Sequence, residues 1–251
     1  MPTRLVHLVV DAAEPARLAR FWAGALGWEI AAEEADDEVD VWPSGFSYPD
    51  PSALPLVFVP VPEPKTGKNR VHLDLATGSA THQAAEVERL LALGAVPADI
   101  GQRDVPWTVL ADPEGNEFCV LDPRPEYQDT GPVAAVVADC ADPAAVAGFW
   151  ALVTGWKPGS TQSGNGMPTG VSLRSPEGVG PYLELLPSPD PKVVKNRVHL
   201  DVAPYQDEDH AAAIRALTAA GAVAVDIGQG GVPWAVLADP EGSEFCVLSP
   251  R

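Results

Sequence analysis

Lys68-Asn-Arg-Val-His-Leu-Asp-Leu75 recurs as Lys195-Asn-Arg-Val-His-Leu-Asp-Val202. The residues after each copy recur as well: Val105-Pro-Trp107 returns as Val232-Pro-Trp234, and Val109 to Leu121 as Val236 to Leu248, each with Asp-Pro-Glu-Gly inside it. The offset is 127 positions from His72 to His199, from Trp107 to Trp234 and from Cys119 to Cys246. A constant offset across separated landmarks marks an internal duplication, so fold and function are read from a doubled unit.

Working outward, Phe21 matches Phe149 and Gly27 matches Gly155 at an offset of 128, one residue more. The copies are expected at 1–124 and 131–251, with Asp122 to Thr130, which holds two prolines and several charges, as the linker. Each copy opens with a β-branched and aliphatic run, Leu5 to Val10 or Val133 to Val137, and then an amphipathic segment. In the first copy Pro15 starts a helix with apolar Leu18, Phe21, Trp22 and Leu26, stopped by Gly27; in the second, Asp142-Pro143 caps a helix running to Leu152. Short strands are expected at Val39 to Trp42, Leu56 to Val59, Val171 to Arg174 and Tyr182 to Leu186. After the repeated His-Leu-Asp strand comes a second helix in each copy, closed by Gly94 or Gly221. Next come strands Trp107 to Leu110 and Glu117 to Leu121, joined by a type I turn at Asp-Pro-Glu-Gly. The fold class is α+β, with four strand-helix-strand-strand-strand (βαβββ) modules.

Composition restricts the function classes. The chain has 251 residues, 46% of them hydrophobic, enough for two ordinary cores. A net charge of -19 repels nucleic acid phosphates and anionic lipid, so neither is an expected partner; the acidic run Glu33 to Asp40 reads as a solvated loop or edge. No apolar run approaches a membrane span and no signal peptide pattern opens the chain, so a cytoplasmic protein is expected. Three cysteines, two of them repeat equivalents, make no disulfide framework. His-Glu-x-x-His, a phosphate-cradling glycine loop and a glycine-flanked serine nucleophile are all missing, which leaves hydrolase and nucleotide-binding readings without support.

His7 in the first strand, Phe21-Trp22 and Leu26-Gly-Trp28 closing the first helix, and the Asp112-Pro-Glu-Gly-Asn116 hairpin together resemble the vicinal oxygen chelate superfamily, in its glyoxalase-like and bleomycin-resistance-like branch. The resemblance implies that paired modules close curved sheets into cups, with helices outside and ligands within. It also implies metal donors on the first and last strands of each module. Those places are His7, Val57, His72 and Cys119 in one copy, and Ala135, Glu184, His199 and Cys246 in the other. Pairing within a copy would group His7, His72 and Cys119, and Glu184, His199 and Cys246. Pairing across copies would group His7, His199 and Cys246, and Glu184, His72 and Cys119. Cys replaces the usual last-strand Glu in both, which points to no metal or weak occupancy; if a metal binds, zinc is favoured over magnesium or manganese.

Alternation puts Val71, Leu73 and Leu75 toward the helix and His72 with Asp74 into the cup, where they serve as pocket lining or as a ligand-binding pair; Asp201 is the repeat equivalent. Trp107 and Trp234, and Trp42 near Phe46 and Tyr48, are candidate aromatic walls, with core packing the alternative for the first two. Trp22, Trp28, Trp150 and Trp156 are assigned to core. Glu117 and Glu244 share a face with the cysteines and are candidate general bases, although ion pairs with Arg70 and Arg197 are the favoured role. The expected function is binding of a small organic molecule without chemistry, by a monomer that carries its pseudo-dimer in one chain. The alternative is a metal-dependent isomerase, lyase or dioxygenase. One cup is expected to outperform the other, because Glu33 to Pro55 is acidic and aromatic whereas Lys157 to Pro181 is rich in glycine.

Overall fold

The computed structural model describes residues 3–31, 38–102, 104–159 and 170–251. Most of the acidic run Glu33 to Asp40, and the centre of Lys157 to Pro181, lie outside the described residues, and with them the expected contrast between cup entrances. Four modules are present. The first holds β1 (Arg4–Ala12), α1 (Pro15–Leu26), β2 (Glu29–Ile30), β3 (Val39–Trp42) and β4 (Leu56–Pro60). The second holds β5 (Val71–Leu75), α2 (Ala80–Leu93), β6 (Val96–Pro97), β7 (Thr108–Ala111) and β8 (Glu117–Val120). The third holds β9 (Val133–Cys140), α3 (Pro143–Thr154), β10 (Lys157–Pro158), β11 (Val171–Arg174) and β12 (Tyr182–Pro187). The fourth holds β13 (Val198–Ala203), α4 (His210–Ala219), β14 (Val223–Ala224), β15 (Ala235–Ala238) and β16 (Glu244–Val247).

The modules join across the repeats. One curved eight-stranded sheet runs β14-β15-β16-β13-β1-β4-β3-β2 and the other β10-β11-β12-β9-β5-β8-β7-β6. The seams are antiparallel, β1 on β13 with His7 opposite Asp201, and β9 on β5 with Ala135 opposite Asp74. Each sheet therefore takes one module from each repeat.

What holds a repeat together lies on the helix side. α1 presents Leu18, Phe21, Trp22 and Leu26 inward and ends where Gly27 takes a left-handed φ of 66°. Its Trp22 ring sits 5.1 Å from Phe118 of β8, and its indole N–H donates to Asp112 Oδ2 at 3.1 Å. Trp150 repeats this against Phe245 and Asp239. No side chain from its own sequence caps α1; instead Glu114 of the Asp-Pro-Glu-Gly turn accepts from the Ala13 and Glu14 amides, both at 2.8 Å. Glu241 does the same for Ala141 and Asp142 ahead of α3. A carboxylate at a helix N-terminus satisfies amides that have no partner within the helix.

One hydrophobic core gathers the helix-facing sides of both sheets, from Leu8 and Val10 through Leu73, Val136 and Leu200. Trp22 and Trp150 belong to it, but Trp28 and Trp156 lie at its edge, half-buried, because each follows the glycine that ends its helix. The concave faces carry separate small clusters, one around Val109, Cys119 and Tyr127, the other around Val6, Cys246 and Leu248. Among the described residues no helix is long and apolar enough to cross a membrane.

Candidate functional site

Strand alternation builds the floor of each cup. In β5, Val71, Leu73 and Leu75 enter the shared core, so His72 and Asp74 face the other way. β8 lies beside it in parallel, with Cys119 level with Asp74. His72, Asp74 and Cys119 thus bring three donor atoms within 4.8 Å of one another; His199, Asp201 and Cys246 do so in the other cup. His72 Nε2 lies 3.4 Å from Asp74 Oδ1 and His199 Nε2 lies 3.5 Å from Asp201 Oδ1. Cys246 Sγ is 3.6 Å from the same His199 nitrogen. Burial first, then the adjacent aspartate, pushes both cysteine thiols well up from their ordinary value.

The first cup, on modules one and four, adds an aromatic path. Trp42 stacks on Phe46, Phe46 meets Tyr48 edge-on at 5.1 Å, and Tyr48 meets the His7 ring at 5.7 Å. His7 Nδ1 is 3.7 Å from Asp201 Oδ2, and Val57 occupies the neighbouring strand. Trp234 packs half-buried against the cup cluster, as Trp107 does in its own.

The second cup, on modules two and three, has Ala135 where the first has His7, and Glu184 where the first has Val57. The stretch 122–130 is no free linker. Pro125–Tyr127 forms a 3-10 turn, Tyr127 is 5% exposed, and its hydroxyl donates to Glu184 Oε1 at 2.8 Å. Arg124, paired with Asp122, lies over the rings of both Trp107 and Tyr127. A buried phenol needs a hydrogen-bond partner, and a carboxylate in the sheet supplies it. Burial, and next the charge of Asp74, raise the Glu184 carboxyl to about 7, with the Tyr127 hydrogen bond and Arg124 pulling the other way.

Glu117 and Glu244 require a correction. Each is ion-paired at 2.7 Å, but with Lys65 and Lys192 rather than Arg70 and Arg197, and each accepts the backbone amide of Asn69 or Asn196. The arginines reach the opposite repeat instead. Arg70 donates to the carbonyls of Asp139 and Asp190, and Arg197 to those of Asp11 and Glu63. Lys68 pairs with Asp139, and Lys195 with Asp11. The repeated Lys-Asn-Arg segments thus line a cleft of about 900 Å³ between the repeats and hold them together, which accounts for one motif without a ligand.

The close donor groups differ from either set the resemblance implied. His7 and Glu184 are outside them, and Asp74 and Asp201 are inside. The signal was present in the sequence, since His-x-Asp on a strand puts both side chains on one face. Tyr127 had no comparable signal, because nothing in Arg-Pro-Glu-Tyr announces that its ring folds back into a cup.

The glyoxalase-like domain family matches the chain twice, over residues 7–121 and 135–248. No curated protein matches it. Among solved structures, it is similar to glyoxalase I from Zea mays, at TM-score 0.68 and 15% identity over 98% of this chain and 92% of that one. It is also similar to a putative dioxygenase from Bacillus subtilis, at TM-score 0.61 and 13% identity over 99% of this chain and 85% of that one. At such identities the likeness is one of fold. The two family matches cover most of the chain, which therefore belongs to the glyoxalase-like domain family and carries its unit in tandem.

Proposed function

We propose that the protein binds a small organic molecule in its cups, a flat or apolar compound bearing a hydroxyl or amine. The observation that carries this reading is an unmet acceptor in each floor. Asp74 Oδ1 and Asp201 Oδ1 are buried, in residues 8% and 5% exposed, and although a histidine nitrogen stands 3.4 or 3.5 Å away, neither oxygen accepts a well-formed hydrogen bond among the described residues. A buried carboxylate oxygen without a donor is costly, so a ligand that brings one gains affinity. Trp107 and Trp234 supply apolar walls beside these floors. The ligand class extends to drugs and secondary metabolites. The working form is a cytoplasmic monomer, because one chain already contains both sheets. The two cups are unequal: one offers Glu184 and Tyr127, the other His7 and Tyr48.

Catechol is a suitable probe, being flat with two adjacent hydroxyl donors. Saturable quenching of tryptophan fluorescence is expected, weakened in Trp107→Ala/Trp234→Ala and in Asp74→Ala/Asp201→Ala. Binding that ignores all four substitutions would refute this placement of the ligand.

A second reading, a metal-dependent isomerase, lyase or dioxygenase, is favoured by Glu184. A buried carboxyl raised to about 7 can hold or release a proton near neutral pH and suits proton transfer. A divalent cation in this cup would supply Lewis acidity, with zinc before magnesium or manganese given a thiol among the donors. Tyr127 would hold Glu184 in place, and Trp107 would orient the substrate.

A further inference from the structure

We propose that the phenol of Tyr127 occupies the binding position of the second cup, and that a free para-substituted phenol enters by displacing it. The inference deepens the small-molecule reading for this cup. It rests on that reading only in that the cup takes a small organic molecule, and Asp74 and Asp201 have no part in it.

The observations concern one side chain and the stretch that carries it. Within 122–129 Tyr127 alone is buried, while Pro125, Glu126, Gln128 and Asp129 around it are exposed. A stretch that is polar outside and sends a single ring into a cup behaves as a ligand on a tether. The ring packs with Val109, Cys119, Leu121 and Ala134, and Tyr182 meets it edge-on at 5.7 Å. Ala134 is the repeat equivalent of Val6 in the first cup, so a smaller residue leaves the space that the ring fills. The hydroxyl donates to Glu184 Oε1 at 2.8 Å, and the Arg124 guanidinium lies over the ring, 5.9 Å from its centroid. Apolar sides, an acceptor at the hydroxyl end and a cation over the face are the complement of a phenol.

The stretch is fixed at its ends and lightly held between them. The Leu121 carbonyl accepts from the Thr77 hydroxyl at 2.7 Å and the Pro132 carbonyl from the Ala76 amide at 2.9 Å. In between, the Asp129 carbonyl accepts from the Gly180 amide at 3.2 Å and from Arg174 at 3.4 Å, and the Glu126 carbonyl from the Tyr182 hydroxyl at 3.4 Å. These are long hydrogen bonds, and the Tyr127 amide and carbonyl bond only within the stretch, to Arg124 and Thr130. The ring and its hydroxyl are therefore the main hold, and a free phenol supplies both in their place. A tethered occupant lowers the apparent affinity of the cup by the fraction of molecules in which it is open, so Tyr127 sets which ligand enters and how tightly.

The probe is p-cresol, a tyrosine side chain without its backbone. The chain has four tyrosines, Tyr48, Tyr127, Tyr182 and Tyr205. With fluorotyrosine incorporated, fluorine NMR follows each of them, and Tyr127→Phe assigns the signal of Tyr127. Saturating p-cresol should move that signal to its position in the denatured chain and shift Tyr182, leaving Tyr48 and Tyr205 in place. In Tyr127→Ala the affinity for p-cresol should rise at least about ten-fold, and adding Glu184→Ala should take the gain away. Circular dichroism checks that the variants fold, and the parent spectrum decides even if one does not. No p-cresol binding to the full chain, binding that leaves the Tyr127 signal unmoved, or unchanged affinity in Tyr127→Ala overturns the proposal. Loss of catechol quenching while p-cresol still displaces Tyr127 counts only against the placement of a ligand on the aspartates. Catechol quenching with Tyr127 unmoved by p-cresol counts only against the displacement.

Discussion

The Tyr127 hydroxyl donates to Glu184 Oε1 at 2.8 Å, so a residue between the two repeats completes the floor of one cup. That contact ties the connection between the sequence repeats to a carboxyl whose ionisation is displaced to about 7.

Glu184 should make stability depend on pH. The unfolded chain releases this proton near 4.5 and the folded chain near 7. Between those values the folded protein retains a proton that the unfolded chain has lost, so stability falls as pH rises from 4.5 to 7. Glu184→Gln removes the effect. In urea unfolding the variant should match its parent near pH 4 and exceed it at pH 8 by roughly 3 kcal/mol or less. A difference that grows toward low pH would contradict the assignment.

Tyr127→Phe deletes the phenol that faces Glu184. It should cost about 1–2 kcal/mol at pH 8, where the carboxylate is ionised, and less near pH 4. Equal losses at both pH values would indicate that the ring's packing, not its hydroxyl, matters.

Glu114 and Glu241 anchor helix starts from the far module of their own repeats. Replacing Glu241 by Ala should destabilise by about 1–2 kcal/mol, whereas Glu241→Gln, which retains an acceptor, should cost less. Chemical denaturation of the two variants side by side checks the order.

Asp239 accepts from the Glu241 and Ser243 amides and from the Trp150 indole, and burial raises its carboxyl from the ordinary value. Asp239→Ala strips the turn and the indole of their acceptor. A loss of about 2–4 kcal/mol is expected in thermal or urea unfolding.

Cys119, Cys140 and Cys246 are buried and unpaired, with Cys140 raised to about 12 and the others also displaced upward by burial. Thiols held in the protonated form are poor nucleophiles. In metal-free folded protein at pH 7.5 a thiol reagent should react at least about ten-fold more slowly than in denaturant, where all three should titrate. Rapid reaction of the folded form would mean that the cups open on the timescale of the assay.

Much of this was legible before any tertiary contact was known. The 127-residue offset established the duplication, apolar spacing located the four helices, and His72-Leu-Asp74 already assigned His and Asp to one face of a strand. Those are properties of neighbouring residues, governed by backbone period and local sterics. Which modules share a sheet is another matter. β5 and β13 carry almost the same residues, so their hydrophobic pattern suits β1 or β9 equally, and only the three-dimensional arrangement puts β1 on β13 and β9 on β5. The same holds for Tyr127 on Glu184, 57 positions apart, and for Lys65 rather than Arg70 on Glu117. Partner choice for a long polar side chain depends on which groups the whole chain brings within reach, and the local pattern does not encode it.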